Sequence, residues 1–147
     1  SGVVLCGTCG NGKTTMMRAF QNLLNVLRLP DDYHKKTYGI PVVNAGHIAH
    51  LCRSDYERFL NLCNTEMLGI DDMGTEPLEV QEFGNIHRPM VDLLTKRYEN
   101  GTFTFITTNL VPQQIRDLYG ERIADRLNEM ADKIIFKNPS FRSWRHG

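Results

Sequence analysis

Hydrophobic and polar positions along the chain form short apolar runs that alternate with longer segments of helical spacing. Val3–Cys6 is an apolar run, and from Lys13 to Leu27 the apolar residues recur at the spacing of one helical face. This alternation predicts parallel βαβ units in a three-layer α/β domain. The five predicted strands are Val3–Cys6, Ile40–Asn44, Met67–Ile70, Phe103–Thr107 and Ile134–Phe136.

The remaining helices are predicted from the same spacing and from their end signals. Pro89 suits the first turn of a helix that carries Met90, Leu93, Leu94 and Tyr98 on one face, and Gly101 lies just past its end. The other predicted helices are one through Ile48 and Leu51, then Tyr56–Cys63, Gln113–Tyr119 and Glu121–Met130.

A glycine-rich segment lies between the first strand and the first helix. It matches G-x-x-x-x-G-K-[ST] and reads Gly7, Thr8, Cys9, Gly10, Asn11, Gly12, Lys13 and Thr14. Glycines let backbone N–H groups approach phosphate oxygens, and the following helix directs its positive dipole end at the same anion. In this motif Lys13 reaches the β- and γ-phosphates and the Thr14 hydroxyl binds Mg²⁺. The segment predicts an ATP site, because the [NT]-K-x-D motif of guanine-specific GTPases is absent.

Two adjacent carboxylates follow the third apolar run. Asp71 is in position to hold Mg²⁺ through water, and Asp72 to orient or deprotonate the attacking water. Aspartate is one methylene shorter than the glutamate that most ATPases of this layout have at the second position. Glu76 is therefore a second candidate for assisting hydrolysis.

A polar residue also ends the fourth strand. Asn109 would lie between the acidic pair and the phosphate loop, where it could hold the same water molecule. Alternatively, its side chain caps the helix that begins before Pro112.

Composition narrows the class of protein. Hydrophobic residues make up 41% of the chain and charged residues 23%, and no apolar run approaches the roughly 18 residues that span a bilayer. With 17 basic and 17 acidic residues, DNA contact would need a local patch. The candidates are Lys133, Lys137, Arg142, Arg145 and His146, although a solvated terminus explains them equally well.

The cysteines indicate the redox compartment of the protein, and the first residues indicate whether another region is expected before this domain. Cys6 and Cys9 have C-x-x-C spacing, but a metal there would collide with the nucleotide, which favours reduced cytoplasmic thiols. No secretory signal precedes them. The sequence begins without Met inside a predicted core strand, so we expect a single domain over residues 1–147 that lacks an N-terminal region.

Several segments together resemble the AAA+ helicase loaders (DnaC and DnaI) and their relatives, the IstB transposition helper ATPases. The resemblance covers nearly the whole chain. The matching segments are Gly7–Thr15, Ile70–Glu76, Thr107–Leu110, Tyr119–Leu127 and Ser140–Arg142.

The resemblance implies an AAA+ core with strand order 5-1-4-3-2. It also implies that Thr15 belongs to the phosphate loop, that Asn109 acts as sensor 1 and that Arg142 acts as the sensor 2 arginine. Arg126 matches the arginine finger, through which subunits associate and which stabilises γ-phosphate charge on a neighbour. On the residues alone, Arg122 and Arg126 share one exposed face of a short helix, where pairing with Asp125 or Glu129 on the surface is favoured over binding phosphate.

The implied function is an ATPase switch that places a replicative helicase on single-stranded DNA. Its hydrolysis is expected to be weak in isolation and to need assembly with DNA or a partner. The N-terminal region absent from this sequence would bind the helicase. The core motifs fit an IstB-like transposition helper equally well. A small-molecule phosphotransferase and an ATP-binding module without turnover are further alternatives.

Overall fold

The computed structural model describes residues 2–7, 18, 22, 41–130 and 132–136 of the chain. Within these ranges the strands are β1 (Gly2–Gly7), β2 (Val42–Asn44), β3 (Met67–Met73), β4 (Val80–Glu82), β5 (Asn85–His87), β6 (Phe103–Thr108) and β7 (Asp132–Phe136). The helices are α1 (Ala45–Ser54), α2 (Tyr56–Asn64), α3 (Pro89–Asn100), α4 (Pro112–Tyr119) and α5 (Glu121–Met130). Arg18 and Asn22 are helical and lie within the predicted Lys13–Leu27 helix, the rest of which is outside the described residues.

Five of these strands form a parallel sheet, which confirms the predicted α/β class. The sheet has the order β2-β3-β6-β1-β7, and each neighbouring pair is parallel. In the numbering of the five predicted strands, this order reads 5-1-4-3-2 from the β7 edge. The first predicted strand, β1, therefore lies between β6 and β7 in the interior of the sheet.

The predicted helices after residue 41 are confirmed, and each end that the sequence predicted agrees with the structure to within one residue. Pro89 is the first residue of α3, and Gly101 ends it in the left-handed conformation with φ 65°. Asn44 caps α1 by accepting the Gly46 N–H at 2.8 Å. In the described part of the chain, no helix is long and apolar enough to cross a membrane.

The antiparallel hairpin of β4 and β5 was not predicted from the sequence. Each strand has three residues, and the turn between them is Phe83-Gly84 with φ of 48° and 81°. Two positive φ angles are typical of a type I′ turn, which usually contains Asn-Gly or Asp-Gly. Phe83 does not give that signal, and its side chain is 98% exposed.

A buried arginine joins three elements at the amino end of β6. Arg97 lies on the apolar face of α3, and its side chain is fully buried. Its guanidinium donates to the carbonyl oxygens of Leu62 (2.9 Å), Thr65 (2.7 Å) and Phe103 (2.7 Å), and to Thr104 Oγ1 (2.8 Å). Burial lowers the pKa of Arg97 to about 10. Its hydrogen bonds fix the end of α2 and the start of β6 against α3.

Replacing Arg97 with Met would test this arrangement. We expect Arg97→Met to lower the free energy of unfolding by about 3 kcal/mol, because it leaves buried carbonyl groups without donors. Urea unfolding followed by circular dichroism measures the change. The matched control is Lys96→Met at the exposed neighbouring position, where a change within about 0.5 kcal/mol is expected. Equal effects of the two substitutions would contradict the role given to Arg97.

Candidate active site

The carboxyl ends of β3, β6 and β1 lie side by side at one edge of the sheet. Cys6 pairs with Thr108, and Ile70 pairs with Ile106, so all three strands end at the same level. The predicted phosphate loop starts at Gly7, the last residue of β1. The acidic pair at the end of β3 is two strands away, a distance of about 10 Å at the usual strand spacing. We refer to this edge as the carboxyl edge.

A β-bulge at the end of β3 places the acidic pair. The pairing with β6 shifts between Ile70 and Met73, so that Asp71 and Asp72 lie opposite the single residue Thr107. The buried Thr107 hydroxyl donates to Asp71 Oδ1 at 2.5 Å and accepts the Asp72 N–H at 3.0 Å. One hydroxyl group therefore orients the first carboxylate and satisfies the backbone amide of the second residue.

The backbone at Asp72 explains why an aspartate occupies this position. Asp72 has φ 58°, in the left-handed region. Aspartate and asparagine tolerate this region better than longer side chains, because their short polar groups hydrogen-bond locally. Glutamate, the expected residue in most ATPases of this layout, would be less favourable in this bulge. Asp72 is part-buried at the carboxyl edge.

The loop after the acidic pair is attached to the end of β6. The Thr108 hydroxyl donates to the Met73 carbonyl oxygen at 2.6 Å and accepts the Leu110 N–H at 3.0 Å. Gly74 has φ 108°, and a Cβ there would lie 2.8 Å from a methyl group of Leu110. Only glycine fits this position, so the loop packs directly on the residues that follow β6.

The carboxylate of Glu76 is engaged inside the fold. Its side chain is buried, with Oε1 accepting the Gly74 N–H at 2.7 Å and Oε2 accepting the Tyr119 O–H at 2.5 Å. Burial and this hydrogen bond raise the pKa of Tyr119 well above its ordinary value. Both carboxylate oxygens of Glu76 are thus bound within the fold, which gives this side chain a structural role.

Asn109 lies directly after β6, the strand that pairs with β3, and its side chain is exposed. The alternative in which it caps the following helix is wrong. The N-terminal cap of α4 is Val111, whose N–H donates to Gln114 Oε1 at 2.9 Å. The position of Asn109 fits a polar group that contacts a ligand at the carboxyl edge.

Arg126 lies away from the acidic pair, on α5 against α3. Its guanidinium carbon is 5.1 Å from the ring centroid of Tyr98, and the Tyr98 hydroxyl donates to Glu129. Nη1 of Arg126 is buried and has no hydrogen-bond partner among the described residues. This side chain was expected on an exposed face, whereas the structure has it half-buried with one donor group unused.

In the part of the chain that the structure describes, neither Arg122 nor Arg126 forms an ion pair with Asp125 or Glu129. Asp125 instead pairs with Arg116 of α4 at 3.2 Å, and Arg116 also lies 3.8 Å from Glu121. Arg116 thereby joins α4 to α5. The alternative in which Arg126 is only one member of a surface pair with Asp125 or Glu129 is wrong.

Several predicted site residues lie outside the described residues. These are Thr8, Cys9, Gly10, Asn11, Gly12, Lys13, Thr14 and Thr15 of the phosphate loop, together with Arg142. Of the loop, only the backbone of Gly7 is described. The proposed basic patch at the C-terminal end is likewise outside, apart from the backbone of Lys133.

The donor groups at the carboxyl edge fit magnesium only if a nucleotide supplies further oxygens. No group of three His, Cys, Asp or Glu side chains that could hold a metal occurs among residues 41–130 and the other described positions. Mg²⁺ is commonly held by one or two carboxylates plus phosphate oxygens and water, rather than by a protein cage. Asp71, which is part-buried and held by Thr107, is a candidate for one such carboxylate. Cys52 and Cys63 are buried free thiols, and burial raises the pKa of both to about 11.

Thr107 was missed as a functional residue by sequence reasoning. Its position at the end of the fourth predicted strand was noted only because Asn109 follows. The contact with Asp71 depends on the bulge, which the local residue pattern does not reveal. A hydroxyl residue at the end of the strand adjacent to an acidic pair is the signal that could have indicated it.

The Thr107 hydroxyl can be tested by an isosteric substitution. We expect Thr107→Val to lower the free energy of unfolding by about 2–3 kcal/mol, because the Asp72 amide and the Asp71 carboxylate lose a buried partner. Thr107→Ser keeps the hydroxyl and should cost about 1 kcal/mol for the lost methyl group. Chemical unfolding measures both changes. A Thr107→Val protein as stable as Thr107→Ser would show that the hydroxyl does not support the bulge.

No family model and no curated protein matches the sequence. Solved structures do match it. The DnaC helicase loader has a TM-score of 0.68 at 22% identity, covering 92% of this chain and 77% of that chain. DnaI has a TM-score of 0.68 at 21% identity, covering 92% and 72%. AMPPCP-bound DnaA from Aquifex aeolicus has a TM-score of 0.59 at 19% identity, covering 90% and 39%. At these identities the likeness shows the fold, so this chain has the α/β fold that these three structures share.

Proposed function

We propose that this chain is the ATPase domain of an AAA+ protein of the helicase-loader type, with a three-layer core. The observation that carries the proposal is the carboxyl edge itself. Two part-buried carboxylates, Asp71 and Asp72, lie there two strands from the start of a sequence that matches the phosphate-loop motif. The same fold occurs in the DnaC helicase loader and in a DnaA bound to AMPPCP.

The proposed chemistry is hydrolysis of the β–γ phosphoanhydride bond. Backbone N–H groups of residues 7–15 and the Lys13 ammonium would bind the phosphates. Thr14 and Asp71 would hold Mg²⁺, which when bound neutralises charge that develops on the phosphate oxygens. Asp72 would accept a proton from the attacking water, and Asn109 would hold that water in line. Arg142 would contact the nucleotide of its own subunit.

Arg126 would complete the site of a neighbouring subunit. Its guanidinium has one buried N–H group without a partner among the described residues, and it rests on the Tyr98 ring instead of on a carboxylate. Arginine is suited to stabilise phosphate charge because it stays protonated and presents several donors. A site built from two subunits makes hydrolysis dependent on head-to-tail assembly.

The proposed role of this ATPase is to help place a replicative helicase on single-stranded DNA, in a larger protein whose N-terminal region binds the helicase. Support comes from the fold shared with two helicase loaders. An IstB-like transposition helper has the same core motifs and remains the alternative. A small-molecule phosphotransferase and an ATP-binding module without turnover become outcomes of the experiment below.

The first experiment measures phosphate release from Mg-ATP by the full-length protein on single-stranded DNA. We expect Lys13→Ala and Asp72→Asn each to lower the rate at least about a hundredfold, because they remove phosphate binding and the proton acceptor. Asparagine also tolerates the left-handed backbone at position 72, so Asp72→Asn should keep the fold. Transfer of labelled phosphate to a nucleoside or sugar would indicate a phosphotransferase. ATP binding without phosphate release would indicate a binding module.

The shared site is tested by mixing two inactive variants. In an equal mixture of Arg126→Ala and Asp72→Asn subunits, about a quarter of head-to-tail interfaces combine an intact acidic pair with an intact arginine. We therefore expect the mixture to regain about a quarter of the wild-type rate, although each variant alone is inactive. Arg122→Ala, one helical turn away, should behave like wild type. A mixture that stays inactive would contradict the action of Arg126 in a neighbouring site.

A further inference from the structure

The buried pair Glu76–Tyr119 connects the acidic pair to the helix that carries Arg126. Glu76 follows the bulge and is 6% exposed, whereas Tyr119 is the last residue of α4 and is 4% exposed. The two side chains are 43 residues apart in sequence and joined by a hydrogen bond of 2.5 Å. A buried carboxylate is costly unless its oxygens accept hydrogen bonds, so this contact strongly constrains both segments.

At the acidic side, Glu76 closes a tight loop onto the bulge. Its second oxygen accepts the Gly74 N–H, and the Thr75 N–H and hydroxyl both donate to the Asp72 carbonyl oxygen, at 3.3 Å and 2.8 Å. The position of Glu76 is therefore determined by the backbone of Asp72. A ligand that moves Asp72 would also move the acceptor of the Tyr119 hydroxyl.

At the helical side, Tyr119 lies directly before the joint between α4 and α5. Gly120 has φ 97° and ψ 164°, a conformation that is essentially restricted to glycine, although a Cβ there would meet no other atom within 4 Å. The Gly120 carbonyl oxygen accepts the Ala124 N–H of α5 at 3.1 Å. Glycine is therefore required for the backbone angle of the joint, and Tyr119 fixes one side of it.

We propose that Glu76 and Tyr119 are positioning residues that couple nucleotide binding at a subunit's own carboxyl edge to the placement of its own Arg126. The inference rests on the proposed function. In this coupling, nucleotide binding in one subunit acts through Glu76, Tyr119 and α5 on the position of Arg126, and therefore on the site of the next subunit. Both residues are buried, and they act by holding the α4–α5 joint to the acidic loop.

Hydrogen exchange tests the coupling without relying on turnover. We expect Mg-AMPPNP to slow exchange of the α5 amides in the wild-type protein. In Tyr119→Phe, which keeps the ring and loses the hydroxyl, the effect on α5 should disappear while ATP affinity stays within about twofold. Tyr56→Phe, at an exposed position on α2, is the matched control and should behave like wild type.

The outcomes separate the coupling from its simpler alternatives. An undiminished nucleotide effect on α5 in Tyr119→Phe, or no effect on α5 in the wild type, would overturn the coupling. ATP affinity is measured for Tyr119→Phe and for Lys13→Ala in parallel. Normal binding by Tyr119→Phe, with no binding by Lys13→Ala, would show that the tyrosine substitution leaves the nucleotide site intact. A protein that binds no nucleotide at all would instead contradict the proposed function.

The mixing assay supplies a second measurement, which would not change in the same way if the Glu76–Tyr119 pair only stabilised the fold. Tyr119→Phe is placed either in the subunit that donates Arg126 or in the subunit that carries the intact acidic pair. We expect about a tenfold loss of the regained rate only in the donating subunit. A loss only in the other subunit, or an equal loss in both, would show that the pair supports its own loop and does not position Arg126.

Discussion

The Thr107 hydroxyl is the group on which the geometry of the carboxyl edge depends. A bulge at the end of β3 leaves an extra backbone amide, and Thr107 accepts its hydrogen while donating to Asp71. Because Thr107 is fully buried, few other positions are available to its hydroxyl. The Asp71 carboxylate and the Asp72 backbone, near the end of β3, are thereby fixed relative to β6, and through β6 relative to the end of β1.

The central strand β6 is held at both of its ends by polar groups. At its start, Arg97 binds the Phe103 carbonyl oxygen and the Thr104 hydroxyl. At its end, Thr107 and Thr108 bind the acidic bulge and the Met73 carbonyl oxygen. Buried polar groups of this kind are costly unless every partner is present, so they favour one register of the β3–β6 pair. A precise register is what a site assembled from the ends of several strands requires.

Hydrophobic spacing was enough to predict the parallel sheet, the helices after residue 41 and the location of the acidic pair. These features depend on periodicity and on end signals such as Pro89 and Gly101, which are local in sequence. The hairpin at Val80–His87 was missed because its turn contains Phe83 where asparagine or aspartate is usual. The roles of Thr107, Glu76 and Arg97 were missed because each makes its contacts across distances of more than thirty residues in sequence. Such contacts follow from the packing of elements and not from any local pattern.

The central claim is that Asp71 helps to hold magnesium on a nucleotide at the carboxyl edge. The most direct measurement is calorimetric titration of ATP into the full-length protein with Mg²⁺ and with EDTA, comparing wild type and Asp71→Asn. Magnesium should strengthen ATP binding by wild type about tenfold or more, and most of this gain should be lost in Asp71→Asn. If Asp71→Asn keeps the full gain from magnesium, the acidic pair is not the metal site and the account is contradicted.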